Sequence, residues 1–159
     1  MRVITTIPQG NVREAAAAAK DIEAKGFDGI VTQENKHDAF LPLAAAATVT
    51  DRLELATGIA ISFARSPMVA AQMSWDLCSS TNGRFVLGLG TQIKAHNEKR
   101  FSVPWSAPAP RMREYLQALR AIWNSWATGE RLRYEGNHYT FTLMTPNFTP
   151  PHTFTGLPK

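Results

Sequence analysis

The sequence lacks several features that would place it in a specialised class of protein. It has one cysteine, Cys78, which excludes an internal disulfide and a cysteine-cluster metal site. No apolar run approaches the roughly 20 residues of a transmembrane helix, and the first residues lack the apolar region of a secretory signal. These absences predict a cytoplasmic protein, in a reducing compartment, that makes no membrane contact.

Positive charge is concentrated in one part of the chain, whose formal net charge is +4. Residues 94–133 contain eight Lys or Arg and three Asp or Glu, whereas residues 1–93 contain eight and nine. The basic segment has no run of five cations, and the pattern of its apolar residues indicates that they are buried in a core. Nucleic acid is therefore not an expected partner. A small anionic ligand and a solvated face are both consistent with this distribution.

Short apolar segments alternate with helical patterns in the first part of the chain. The four apolar segments are residues 2–7, 27–33, 53–62 and 84–90. The predicted helices between them run from an Asn11–Glu14 capping box to Gly26, over 41–50, and from Ser66–Pro67 to Asn82–Gly83. This alternation predicts an α/β fold built from βαβ units around a parallel sheet.

The pattern changes after Gly90. Residues 91–109 are predicted to be a loop, and a helix follows from Pro110 to Gly129 with Met112, Leu116, Leu119, Trp123 and Trp126 on one face. Glu135-Gly136-Asn137 indicates a hairpin turn. We therefore expect a single domain over 1–159, made of β/α repeats (1–93), an insertion of loop, helix and hairpin (94–144), and an irregular tail (145–159).

Candidate functional residues are expected at the carboxyl ends of the strands, where parallel α/β proteins bind their ligands. The second strand ends in seven residues, 32–38, most of which can donate, accept or titrate. Glu34 and His37 are candidate acid/base groups. The alternative is a solvated loop in which Asp38 caps the next helix. The loop lacks the spacing of metal ligands, so no metal site is expected.

The next two strand ends are also candidates for ligand contact. Gly58 interrupts a strand pattern, which indicates a bulge or a close backbone approach. Thr91 and Gln92 can hydrogen-bond a ligand, although a polar loop explains them equally well. Lys94, Lys99 and Arg100 could face an anion. The glycines of 88–90 lack the third glycine of a dinucleotide fingerprint, so a nucleotide-binding fold of that type is disfavoured.

Several motifs, in order along the chain, resemble the luciferase-like monooxygenase superfamily. They are Ala56-Thr57-Gly58-Ile59, Ala64-Arg65-Ser66-Pro67 and Gly83-Arg84-Phe85-Val86-Leu87-Gly88-Leu89-Gly90. Later motifs resemble its branch of oxidoreductases that depend on coenzyme F420: Gly90-Thr91-Gln92, Ala95-His96, Lys99-Arg100-Phe101, Pro104-Trp105-Ser106 and Arg111-Met112-Arg113-Glu114-Tyr115. The resemblance extends from about Arg2 to the end of the sequence.

This resemblance implies the first half of a TIM-type (β/α)₈ barrel, with parallel strands one to four, a hairpin insertion, and an end before strand five. It also implies a cis peptide bond between Gly58 and Ile59. Glu34 and His37 would be catalytic. The implied cofactor-binding residues are Thr57, Gly58, Ile59, Gly90, Thr91, Gln92 and His96.

The implied function is hydride transfer between the deazaflavin F420 and a small organic substrate. Two alternatives stay open: an FMN-dependent monooxygenase of the same superfamily, and a catalytically inactive fragment or partner subunit. The expected partners are a small-molecule substrate together with either further copies of the chain or a complementing C-terminal half.

Overall fold

The computed structural model describes residues 1–8 and 10–159. They form two compact units, which we describe separately: the first comprises residues 1–60, 73–90 and 154–159, and the second comprises 61–72 and 91–153. Within the described residues, no helix has the length and hydropathy needed to cross a membrane. The elements in chain order are β1 (Ile4–Thr6), α1 (Val12–Ala24), β2 (Gly29–Thr32), α2 (Leu41–Ala47), β3 (Glu54–Thr57), β4 (Ala60–Ile61), α3 (Pro67–Thr81), β5 (Phe85–Val86), β6 (Leu89–Gly90), α4 (Lys94–Lys99), α5 (Pro108–Thr128), β7 (Tyr134–Glu135) and β8 (Thr140–Phe141).

The first unit is built on a parallel sheet whose strands follow the order β1-β2-β3-β5. The register pairs Thr6 with Val31 and Thr32 with Thr57, so consecutive strands end at similar heights. This topology confirms the predicted α/β architecture with parallel strands. The third and fourth apolar segments each divide into two strands, and the second halves, β4 and β6, pair in a small separate sheet.

Local side-chain contacts define where the helices begin and end. The Asn11 side chain accepts hydrogen bonds from Arg13 N and Glu14 N, both at 3.0 Å, and Glu14 Oε2 accepts one from Asn11 N, which confirms the capping box. Helix α2 ends at Ala47, three residues before the predicted end. Thr48 Oγ1 and Thr50 Oγ1 donate to carbonyls of the last turn, and such bonds favour termination.

The core of the first unit lies between the sheet and its helices. Its fully buried side chains include Ile30, Leu43, Leu55, Trp75 and Phe85. The chain terminus closes one side of this core: Phe154 packs edge-on against Trp75 with 4.9 Å between ring centroids, and Leu87 N donates to Lys159 O at 2.8 Å. Residues predicted as an irregular tail therefore contribute to the core.

The second unit is organised around α5. Its buried face comprises Tyr115, Ala118, Leu119, Ile122, Trp123, Ser125 and Trp126. The predicted face included Leu116, which is instead 39% exposed, because the buried stripe runs along the neighbouring positions. Gly129 ends the helix with φ of 76°, as predicted. The prediction of a loop over 91–109 was wrong in part, since α4 forms within it.

The predicted hairpin is confirmed as the antiparallel pair β7–β8, with Gly136 N donating to Tyr139 O at 2.9 Å. Glu114, on α5, holds the hairpin in place. Its Oε2 accepts from His138 N at 2.7 Å, and hydrogen bonds from the backbone at 137–139 lower the pKa of Glu114. The hairpin is therefore fastened to the helix that precedes it.

Glu23 fastens α1 to the turn that precedes β3. Its carboxylate accepts from the backbone N–H groups of Asp51, Arg52 and Leu53 at 2.7 to 3.2 Å. Burial raises the pKa of Glu23, but these three amides and the charge of Arg52 outweigh burial, so the net effect lowers its pKa. The ionised form is therefore the one that stabilises the first unit.

We expect Glu23→Gln to lower the free energy of unfolding by about 1–2 kcal/mol near neutral pH, because charged acceptors bind amides more strongly than neutral ones. Because the pKa of Glu23 is lowered in the folded state, its ionisation stabilises the protein at pH values above the unfolded-state pKa of about 4.3. This stabilisation is lost as the pH falls through the folded-state pKa. The difference between wild type and variant, measured by urea denaturation, should therefore shrink in acid. Asp21→Asn, which alters an exposed pair with Lys25, is the control, and an equal effect of both variants would contradict this role.

Candidate functional site

The carboxyl ends of β2 and β3 form one edge of the sheet in the first unit. Gly58 N donates to Thr32 O at 2.6 Å, which joins the backbones just beyond the two strands. The peptide bond between Gly58 and Ile59 is cis, as the resemblance implied. Thr32 is fully buried, and its hydroxyl donates to Ala39 O at 2.7 Å, which anchors the loop that follows β2.

Thr57 and Gly88 join the ends of β3 and β5. Thr57 Oγ1 donates to Gly88 O at 2.8 Å and accepts from Gly88 N at 2.9 Å. Gly88 O also accepts from Ala60 N at 2.8 Å. Because Thr57 is 3% exposed, its hydroxyl forms hydrogen bonds with the end of β5 and not with solvent.

Three glycines at this edge leave no space for a side chain. A Cβ at Gly58 would lie 2.4 Å from Val31 Cγ2, and one at Gly88 would lie 2.0 Å from Thr57 O. A Cβ at Gly90 would lie 2.7 Å from Ile59 Cδ1. Bare backbone therefore forms this part of the edge, and the Ile59 side chain, 37% exposed, is a large apolar group beside it.

Glu34 lies directly beside this edge. Its backbone N donates to Ile59 O at 3.3 Å, so the residue after β2 is tied to the residue after β3. The Glu34 side chain is partly buried, whereas His37 is exposed three residues further along the same loop. Asp38 accepts from Phe40 N and Leu41 N at 2.7 and 3.1 Å, so it caps α2 as the alternative interpretation expected.

The remaining predicted cofactor contacts belong to the second unit. Thr91 and Gln92 are partly buried, and Gln92 has φ of 60° with its Oε1 accepting from Ile93 N at 2.9 Å. Buried Asn97 holds this loop by donating from Nδ2 to Thr91 O at 2.9 Å. His96 is exposed on α4, as are Lys94 and Lys99, and Arg100 is exposed directly after the helix.

Sequence reasoning missed a cluster around Arg111 in the second unit. The Arg111 guanidinium stacks on Phe63 at 4.3 Å and donates from Nε to Tyr139 OH at 3.0 Å. Tyr115 is fully buried against Tyr139, and its OH has no hydrogen-bond partner within the described residues. Burial raises the pKa of Tyr115, so the phenol stays protonated. Arg111 and Tyr115 both lie in the Arg-Met-Arg-Glu-Tyr motif, which is the sequence signal that could have indicated this cluster.

Cys78 does not form a second reactive centre. Cys78 is buried, and burial raises the pKa of its thiol to about 11, so it is a core residue, as expected, rather than a nucleophile. Over residues 1–8 and 10–159, no group of three His, Cys, Asp or Glu side chains is arranged to hold a metal ion.

Comparison with known proteins places this geometry among related folds. Residues 2–158 match the family described as luciferase-like monooxygenase. The chain is 57% identical to the uncharacterized protein Rv1360 of Mycobacterium tuberculosis, over 86% of this chain and 40% of that protein. It is 33% identical to the putative coenzyme F420-dependent oxidoreductase Rv3520c of the same organism, over 86% and 38%.

A solved structure has the same fold. The oxygenating constituent of 3,6-diketocamphane monooxygenase from Pseudomonas putida, in complex with FMN, aligns with a TM-score of 0.78 at 18% identity. The alignment covers 98% of this chain and 49% of that one. The chain spans about 40% of the length of these two curated relatives.

We expect Thr57→Val to destabilise the protein by about 1–3 kcal/mol, because the isosteric side chain leaves the Gly88 amide without its acceptor. Thr48→Val is the matched control: Thr48 is exposed, so its change should stay within about 0.5 kcal/mol. Chemical denaturation of both variants measures the difference. Equal stabilities for the two variants would show that the Thr57–Gly88 pair does not hold the strand ends together.

Proposed function

This chain belongs to the luciferase-like monooxygenase family, and from that premise we propose that it forms the part of an F420-dependent oxidoreductase that contacts the cofactor ring and the substrate. The observation that carries the proposal is the hydrogen bond from Glu34 N to Ile59 O, 3.3 Å long, which holds a carboxylate residue beside an exposed apolar edge. The 33% identity to a putative F420-dependent oxidoreductase supports the choice of cofactor.

The residues at this edge fit a planar ring. Gly58 and Gly90 present backbone without side chains, and Ile59 offers an apolar surface that is 37% exposed. The close packing of Val31 on Gly58 and of Ile59 on Gly90 requires glycine at both positions, and a flat aromatic group can approach the resulting bare backbone closely. Thr57 supports the edge through its hydrogen bonds with Gly88. Thr91, Gln92 and His96 are proposed as further cofactor contacts.

F420, when bound, supplies a carbon that accepts or donates a hydride.

Glu34 is the proposed acid/base. As a substrate carbon loses its hydride, the Glu34 carboxylate would accept the proton from the neighbouring heteroatom, which balances the two-electron oxidation. His37, exposed on the same loop, would exchange that proton with solvent. The tether to Ile59 O fixes the Glu34 backbone, so little reorganisation is needed before transfer.

The anionic part of the cofactor would meet positive charge. Lys94, Lys99 and Arg100 are exposed on or beside α4, within the basic segment of the chain. Long cationic side chains at a solvated position attract phosphate and carboxylate groups without rigid geometry. We propose that these three side chains hold that part of F420.

We expect the protein to bind F420. The Glu34→Gln variant should bind it with an unchanged dissociation constant, since glutamine keeps the size of the side chain. Hydride transfer with a panel of small alcohols and aldehydes should fall about 10²- to 10⁴-fold in that variant, because the proton acceptor is lost. Absorbance titration measures binding, and stopped-flow absorbance measures transfer. Lys36→Gln, on the same loop, is the control and should retain wild-type rates.

Two outcomes would contradict the proposal. Binding of FMN with oxygen consumption, and no binding of F420, would assign the chain to the flavin-dependent monooxygenases of the family instead. Binding of neither cofactor would show that this chain is not sufficient for a cofactor site. Retention of hydride transfer by Glu34→Gln would reassign the proton acceptor while leaving the choice of cofactor intact.

A further inference from the structure

Asn97 is a fully buried asparagine in the second unit, and its side chain holds the turn that contains two proposed cofactor contacts. Asn97 Nδ2 donates to Thr91 O at 2.9 Å and to Ile93 O at 3.1 Å. The backbone N of Asn97 also donates to Ile93 O, at 3.1 Å. One side chain is therefore bonded to the carbonyls on both sides of Gln92.

Gln92 has a backbone conformation that needs such support. Its φ of 60° lies in the left-handed region, which is uncommon for residues other than glycine. The Gln92 side chain makes one local contact, since its Oε1 accepts from Ile93 N at 2.9 Å. The bonds from Asn97 to the carbonyls before and after Gln92 oppose relaxation of this turn to a more common conformation.

The same contacts determine which end of the Gln92 amide is available to a ligand. Because Oε1 is bonded to the backbone N–H of Ile93, the other end of the amide, Nε2, is directed away from that bond. The nitrogen of a carboxamide is a hydrogen-bond donor. Gln92 is partly exposed, so its Nε2 can donate to a carbonyl oxygen of a bound ring.

The other end of the Asn97 amide indicates that stability alone does not explain an asparagine at this position. Asn97 Oδ1 is buried and has no hydrogen-bond partner within the described residues. A buried unpaired acceptor costs free energy, and an apolar side chain of similar size would avoid that cost. The two bonds donated by Nδ2 are therefore the contacts that account for the amide.

We propose that Asn97 is a positioning residue, which holds the turn at 91–93 so that Gln92 Nε2 donates to a ring carbonyl of the cofactor. This inference rests on the proposed function, in which Thr91 and Gln92 contact F420. Asn97 is buried, so it acts through Gln92 without touching the cofactor. Its effect on binding therefore depends on the Gln92 side chain.

A double-mutant cycle tests this dependence, with the dissociation constant of F420 from absorbance titration as its readout. Asn97→Leu removes both donated bonds and should raise that constant about tenfold, the equivalent of one lost hydrogen bond. Gln92→Glu keeps the acceptor for Ile93 N, removes the donor, and should weaken binding by at least as much. Adding Asn97→Leu to Gln92→Glu should then change the constant by less than about twofold, because the contact that Asn97 positions is already absent.

A second variant and a stability measurement separate positioning from a structural role. Asn97→Leu should unfold at nearly the wild-type denaturant concentration, since it removes an unpaired buried acceptor together with the two bonds. Asn97→Ser can still donate to Ile93 O, four residues earlier, and should bind F420 with an intermediate dissociation constant.

Two control variants test for unrelated effects. Asn124→Leu removes an exposed amide that donates to Glu130 Oε2 at 3.3 Å, and it should leave F420 binding unchanged. Ala95→Glu adds a negative charge at an exposed position on α4, and it should weaken binding less than Gln92→Glu does.

The outcomes distinguish this inference from the proposed function. Wild-type affinity in Asn97→Leu, or an equal loss of affinity with and without Gln92→Glu, would overturn the inference and leave the proposed function intact. A large loss of stability in Asn97→Leu, with unchanged affinity in Asn97→Ser, would assign Asn97 a structural role only. If the wild type binds FMN and not F420, the proposed function fails, and a coupled cycle measured with FMN, whose ring carries the same carbonyls, would support the inference alone. Binding of neither cofactor would overturn both.

Discussion

The arrangement of the candidate site depends on the contact between Thr57 and Gly88, in which one hydroxyl satisfies both the amide and the carbonyl of the neighbouring strand end. The contact requires glycine, since a Cβ at Gly88 would lie 2.0 Å from Thr57 O. It positions β3 against β5, and the adjoining bonds from Gly58 N to Thr32 O and from Glu34 N to Ile59 O extend the link to β2. A local packing constraint thus determines where the candidate acid/base residue lies.

The contact of Glu23 with the turn at 51–53 and the candidate chemistry lie at opposite ends of the strands. Stabilising contacts such as Glu23 with the turn at 51–53 lie before β3, whereas Glu34 and Gly58 follow the carboxyl ends of their strands. The amino-terminal ends of the strands therefore contribute to stability, whereas the carboxyl-terminal ends combine the stabilising contact of Thr57 with Gly88 and the candidate binding residues.

Features determined by neighbours in the sequence were predictable. The capping box of Asn11 and Glu14, the end of α5 at Gly129 and the turn at Asn82–Gly83 each depend on a few adjacent residues. Features that join distant residues were not: Thr57 meets Gly88 and Glu23 meets Leu53 only once the strands are side by side. The exposure of Leu116 and the formation of α4 also depend on tertiary packing, which overrides a local pattern. The position of Glu34 just after β2 was predictable because it depends on the strand pattern alone, whereas the contacts of Arg111 and Tyr115 with Phe63 and Tyr139 form only in the fold.

In the proposed site, a planar cofactor lies on the edge formed by Gly58, Ile59 and Gly90, with Glu34 beside it. The most direct measurement is a crystal structure of the protein grown with F420. We expect electron density for the deazaflavin ring over that edge, with the Glu34 carboxylate facing the reacting side of the ring. A ring bound elsewhere on the molecule, or a Glu34 side chain directed away from it, would disprove the proposed site.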